Sequence, residues 1–362
     1  MKKQIIIPFV LLTILVSCKE NARNNAMKEN HNPLTIAGTQ TDSADRNNNF
    51  YDNTETFALT SGPLEIAGEV ENPGKVDFSV LPKRSVIVKE TLLDKEGKDA
   101  FVGAYRYDGY SLFDILNNFK LKKKNKEEFS PIIDIYVEIE NAKGEKVILS
   151  WGEIYYPNTL HNIIIATDVA RIVPSKTRDL WPLPTEGKLV VGPDLITERN
   201  IPAPVKITVH SYERSFKVNR DLSPLYSANV TVYVDSQKET FDEQIMKKYQ
   251  METLHTIFYG KGRGIHSTTP FSGIYLKEIL KSKLETGGED LQKGLVAVVG
   301  KDGYRCVYSL SEIMNRNDQA EILMVPTGKE EDGGLFRVFP SCDFFSDRAV
   351  KAVSEIYCEK IK

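Results

Sequence analysis

The chain has 362 residues, of which 41% are hydrophobic and 27% charged, with a formal net charge of -3. That balance excludes a disordered body and a body that spans a membrane many times. It also gives no electrostatic case for binding nucleic acid.

Residues 1–18 read as an export signal. Lys2 and Lys3 precede an apolar run from Ile5 to Val16, which closes in Leu15-Val16-Ser17-Cys18. A basic start, a short apolar run and small residues before a cleavage point describe a secretory signal peptide. The run falls short of the ~20 residues that a membrane-spanning helix needs. Cysteine directly after Leu-Val-Ser resembles the bacterial lipobox, which implies cleavage before Cys18 and its acylation. The expectation is a protein of the bacterial cell envelope, held to a membrane by lipid, with its body in the periplasm or on the cell surface. Residues 19–62 are rich in Asn, Thr, Asp and Ser and lack apolar periodicity, so they are expected to form a flexible stalk.

The remaining 300 or so residues suit two domains of ordinary size, at 63–212 and 228–362. In the first, Leu64–Val70 alternates at period two and runs into the turn Asn72-Pro73-Gly74. Ser111–Phe119 predicts a helix capped by Ser111, with Leu112, Ile115, Leu116 and Phe119 on one face. The basic run Lys120–Lys126 follows and reads as a solvated helix end. Ile132–Ile139 is a strand by its β-branched content. In the second, Val230–Val234 predicts a strand, and Tyr275–Leu284 and Leu310–Asn315 predict short helices. The order of elements repeats. Tyr107–Leu116, Gly144–Ser150, Ile163–Ala166 and Pro204–Val209 correspond to Phe271–Leu280, Asp302–Leu310, Ala320–Val325 and Ala349–Ile356. A repeat of roughly 130 to 150 residues is domain duplication, far longer than a solenoid period. Mixed strands and short helices predict an α+β class.

Three cysteines remain after Cys18, namely Cys306, Cys342 and Cys358, an odd number for an exported protein. No Cys-x-x-Cys or His-Glu-x-x-His spacing marks a metal site, and the five histidines are scattered.

Val70-Glu71-Asn72-Pro73-Gly74, Phe271–Leu280, Asp302-Gly303-Tyr304 and Gly333–Pro340 with Asp347–Lys351 together resemble the sulfite-oxidase-type molybdopterin-binding domain family. The likeness is weak over Leu64–Val209 and moderate over Val230–Cys358. It implies two tandem lobes of that fold, with mixed sheets and short helices. The chain departs from the family where the metal is held. Active members place a cysteine thiolate where this sequence has His255-Thr256, and the first half has none near Val88–Leu93 either. A hydroxyl is a poor substitute for thiolate at such a site. No metal ligand or catalytic residue is therefore assigned, and no cofactor is expected; molybdopterin is expected only if an oxidoreductase reading holds.

A candidate anion or pterin site remains. Gly260, Gly262 and Gly264 alternate with Lys261 and Arg263, a pattern that offers backbone N–H groups beside positive charge. His266 follows, and Arg337 and Lys351 lie on later strands. The functional expectation is a non-catalytic binding or accessory lipoprotein that takes a small anionic ligand or an envelope protein partner. The alternatives are a molybdopterin-dependent oxidoreductase, or an assembly partner of an outer-membrane complex.

Overall fold

The structure is a computed structural model; it describes residues 55–174, 176–235, 237–262, 264–284, 286–327 and 333–362. The signal peptide with Cys18, most of the stalk and Arg263 lie outside the described residues.

The first half contributes ten strands: β1 (Thr56–Ala58), β2 (Glu65–Gly68), β3 (Gly74–Lys75), β4 (Arg84–Leu93), β5 (Asp99–Ser111), β6 (Ile135–Asn141), β7 (Lys146–Ser150), β8 (Ile163–Arg171), β9 (Lys188–Val191) and β10 (Pro204–Ser211). Helix α1 (Leu112–Leu116) follows β5 and α2 (Trp151–Tyr155) follows β7. These strands form two five-stranded sheets. One runs β1-β8-β5-β4, with β9 also on β8, and the other runs β3-β2-β10-β6-β7.

The second half repeats the plan. Its strands are β11 (Val230–Val234), β12 (Gln237–Phe241), β13 (Glu252–Leu254), β14 (Phe258–Gly260), β15 (Gly264–Ser267), β16 (Phe271–Tyr275), β17 (Gly294–Gly300), β18 (Arg305–Ser309), β19 (Ile322–Pro326), β20 (Phe336–Pro340) and β21 (Val353–Lys360). Helix α3 (Glu243–Met246) precedes β13, α4 (Leu276–Lys281) follows β16, α5 (Gly288–Lys293) precedes β17, and α6 (Leu310–Met314) follows β18. One sheet runs β12-β11-β21-β17-β18 and the other β13-β16-β19-β20, with β14-β15 as a separate ribbon. Strand for strand, β3-β2-β10-β6-β7 and β12-β11-β21-β17-β18 have the same order. In each, a parallel pair sits among antiparallel ones, β2 with β10 and β11 with β21.

The α+β expectation is overturned. Strands make up 43% of the chain and helices 12%, and the small sheets are set like the blades of a four-bladed propeller rather than as sulfite-oxidase-type lobes. The helices shrink for a physical reason. Ser111–Phe119 carries one apolar face good for a single turn, so α1 closes at Leu116, and Asn117 caps it. No helix in the described residues exceeds six residues, and helices so short do not stand without packing. None is long and apolar enough to cross a membrane.

Apolar layers hold neighbouring sheets together. Ile66, Val137, Ile139, Ile207 and Val209 face Ile163, Ile165, Leu189 and Val191 across the first half, with α1 and α2 closing the ends. The outer face of the β4–β5 sheet is covered by Leu59 with Phe57, Trp181 and Leu183, so residues at the end of the expected stalk are part of the body. Tyr136 and Ile148 meet Leu295, Ala297, Val299, Val307 and Tyr357 where the halves join. Val296, Val298, Ile356 and Cys358 then meet Ile274, Ile322, Met324 and Val338 in the second half. Sheets buried on both faces demand continuous apolar strands, which is why Gly294–Gly300 is buried throughout.

Candidate functional site

Hairpin β14–β15 carries part of the expected anion site. Lys261 is exposed at its turn, with Nζ 6.0 Å from the Phe345 ring centre. The His266 ring lies 5.0 Å from that of Phe258, and the Arg337 guanidinium 5.8 Å from the same ring. His266 and Arg337 thus share Phe258, with Lys261 further along the hairpin. Lys351 is not shown with them; it lies on the bend before β21, where its carbonyl oxygen would be 2.7 Å from a Cβ at Gly300.

The glycines of this region serve packing. A Cβ at Gly260 would collide with the His266 ring, and Gly264 has φ +73°. Gly334 has φ +71°, a conformation that L side chains disfavour. A Cβ there would also strike the Ser227 backbone, whose carbonyl accepts from Leu335 N at 2.6 Å. The double glycine at 333–334 lets two backbones approach, with no ligand needed to explain it.

A dense cluster of buried charge lies elsewhere among the described residues, at the join of the halves. Ser150 caps α2 and forms a reciprocal capping box with Glu153; Ser309 caps α6 and accepts from Glu312 N at 3.1 Å. Behind each helix stands a buried arginine. Arg199 Nε and Nη2 donate to the two Asp194 oxygens at 2.8 and 2.7 Å, and Nη1 and Nη2 donate to Glu153 at 3.1 and 2.9 Å. Arg348 Nε and Nη2 donate likewise to the two Asp343 oxygens at 2.7 and 2.6 Å. Glu312 Oε1 is 2.6 Å from Arg348 Nη2 but accepts no well-aligned hydrogen bond, so charge rather than a directed N–H pairs them. The two sets cross over. Arg199 Nη1 donates to Ser309 Oγ at 3.0 Å, and Ser150 Oγ donates to Glu312 Oε2 at 2.7 Å.

Electrostatics follow from burial. Loss of solvent raises the Glu153 carboxyl, and nearby Glu312 adds to the rise against the pull of Arg199. Burial raises Asp343 in the same way, with Arg348 opposing it. Burial alone would lower Arg199 and Arg348, but their carboxylates hold both guanidinium groups above their ordinary values.

A narrow cleft opens beside this network, lined by Thr159, Asn162, Asp194 and Arg199 of the first half and Glu312 and Arg316 of the second. Nearby, Glu312, Cys342 and Asp343 place donor atoms within 4.8 Å of one another. Arg348 occupies both oxygens of Asp343, and burial pushes the Cys342 thiol well above its ordinary value. A cation would compete with a guanidinium there and would need a thiolate that burial disfavours. Cys306 and Cys358 are also buried and unpaired, with thiols pushed up to about 12 by burial. The residues present do not fit a thiolate-held molybdenum centre.

Ser111, His161 and Asp114 also cluster, with Ser111 Oγ 3.1 Å and Asp114 Oδ2 3.4 Å from His161 Nδ1. A nucleophile relay needs serine and carboxylate on opposite ring nitrogens. Here both face Nδ1, so this is the N-cap of α1 with a histidine beside it.

Sequence reasoning missed Glu153, Asp194, Arg199, Glu312, Asp343 and Arg348. The signal was the repeat itself. Ser-x-x-Glu starts at the last residue of β7 and of β18, and Asp with Arg five residues later follows β9 and β20. Lys123, in the run read as a solvated helix end, is instead buried 2.7 Å from Asp134. No family model matches the chain, and no curated protein matches it.

Proposed function

We propose that the chain is a bacterial cell-envelope lipoprotein, anchored through Cys18, that acts as a binding or accessory protein with no catalysis of its own. The observation that supports this reading is the network joining the halves. Its guanidinium groups and carboxylates are paired with one another, and the three described thiols are buried. A catalytic group needs a reactive protonation state and access to substrate. These groups are instead disposed as a rigid joint. The exposed chemistry that this reading uses lies at the β14–β15 hairpin, where Lys261 and His266 stand exposed beside aromatic rings, with the half-buried Arg337 near the same Phe258 ring, toward a small anionic ligand or an envelope protein partner.

The test is metal and pterin analysis of protein purified from a host with intact molybdenum-cofactor synthesis. The expected result is neither metal nor pterin. Stoichiometric molybdenum would overturn the non-catalytic reading, and its loss in Cys342→Ser would identify the ligand. Anchoring is read separately: Cys18→Ala should move the protein out of the membrane fraction, and unchanged retention sinks the lipoprotein reading.

A further inference from the structure

The β14–β15 ribbon belongs to none of the four main sheets, and its two faces meet different aromatic groups. Phe258 packs edge-on to Phe271 and Phe339 at 5.6 and 5.3 Å, and His266 lies beside it. Side chains alternate along a strand, so Tyr259 leaves the face opposite Phe258 and Ile265 the face opposite His266; past the irregularity between Phe258 and Tyr259, pairing sets Tyr259 and Ile265 directly across from each other. Ile265 is 66% exposed and Tyr259 36%; Ile257 at the base of the ribbon is 60% exposed. Phe344, 48% exposed, adds its ring 5.4 Å from that of Tyr259. Single exposed apolar residues are ordinary, but three on one thin ribbon with Phe344 against it form a patch of the kind that marks an interaction surface.

The geometry points to a membrane-contacting ribbon: Ile257, Tyr259, Ile265 and Phe344 enter the interfacial layer of an anionic bilayer while Lys261 meets its headgroups. Charge favours that occupant. From Thr253 to Leu276 the sequence has no Asp or Glu, although the whole chain has net charge -3, and Lys261 is exposed at the turn. Basic residues beside an apolar face suit an anionic membrane surface. Size argues against a second copy of the chain. Even a fully buried aromatic side chain covers only about 150–250 Å², and these four are already partly covered. Together they fall short of the roughly 800 Å² per partner of a stable protein interface. A tethered body needs no such area. The inference draws on the Cys18 anchor for its physiological strength: only residues 19–54 separate that anchor from the described body in sequence. The ribbon then meets the bilayer at high effective concentration, so weak insertion adds a second attachment.

The experiment uses the mature chain from residue 19 without its lipid, so that it reads the ribbon independently of Cys18. Its co-sedimentation is measured with phosphatidylglycerol–phosphatidylethanolamine vesicles and with phosphatidylcholine vesicles. The expected result is binding to the anionic vesicles that salt weakens. Ile257→Ser with Ile265→Ser should reduce the vesicle partition at least tenfold, and Lys261→Glu should reduce it on anionic vesicles. All three residues are exposed, so an unchanged melting temperature confirms that the variants fold. No binding by the wild-type chain, or equal binding by the double variant, overturns the proposal. A concentration-dependent dimer that the double variant abolishes also overturns it and assigns the patch to a second copy.

Discussion

Arg199 and Arg348 are among the largest fully buried side chains of the protein, and a buried guanidinium persists only where carboxylates meet it. Each has two. Gly152 shows how closely the site is packed, because a Cβ there would collide with the Arg348 guanidinium. Arg348→Ala strands Asp343 and Glu312 as buried charges, and loss of one partner from such a set costs about 3–5 kcal/mol. Urea denaturation should show that loss. The triple change Arg348→Met, Asp343→Asn, Glu312→Gln should recover most of it; failure to recover would mean that Arg348 acts through packing alone. A second prediction concerns His210 on β10, stacked 5.2 Å from Tyr136. Burial lowers its pKa from the ordinary 6.5, while Glu138, Glu69 and Glu213 pull the other way and Lys146 adds to the lowering. The folded state therefore binds this proton less readily than the unfolded one. Its contribution is present above pH 6.5 and is lost as pH falls toward the lowered folded value. His210→Phe, which keeps the stack, should flatten the fall in melting temperature on acidification through that window. An unchanged slope would assign the acid sensitivity to other groups.

At the scale of elements, strands were the legible part. Val230–Val234 forms as predicted, and Ile132–Ile139 appears as β6, shifted toward its C-terminal end. Both are β-branched runs, whose preference for extended backbone is local. Helices were legible by position and overlong by content: Tyr275–Leu284 closes at Lys281, because Leu276, Ile279 and Leu280 are the residues that reach the core. The glycine-rich segment 260–264 misled for a related reason. Alternating glycines with cations match an anion loop in pattern, yet the pattern carries no information about the His266 ring that Gly260 must admit. The buried arginines were illegible because each takes its partners from separate elements. Arg199 joins Glu153 on α2 to Ser309 at the start of α6. No spacing within one segment encodes that, whereas the recurrence of both patterns in the two halves does.

At the scale of the whole molecule, the order of the chain and the order of the layers differ. Strands β1 to β10 alternate between two sheets before either is complete, so neither sheet of the first half can form without the other. The same holds for β11 to β21, the β14–β15 ribbon apart. The halves are then tied by an apolar layer around Tyr136, Ile148, Leu295 and Val307. Charged ties reinforce it: Arg305 Nε donates to Asp134 Oδ2 at 3.1 Å between two fully buried groups, beside the crossed Arg199 and Arg348 sets. An interface that is both apolar and ion-paired leaves neither half a complete surface of its own, since opening it exposes paired charges and an apolar layer together. Repeated units that share so much interior should unfold as one. Urea denaturation followed by circular dichroism and by the fluorescence of Trp151 and Trp181, both in the first half, should therefore give coincident single transitions. Asp134→Ala leaves Arg305 with Glu128 as its carboxylate partner, and should lower the midpoint while splitting the transition as the halves uncouple. A wild-type transition that is already biphasic, with the two first-half tryptophans reporting only one phase, would show that the halves fold independently and that the buried network joins two finished bodies.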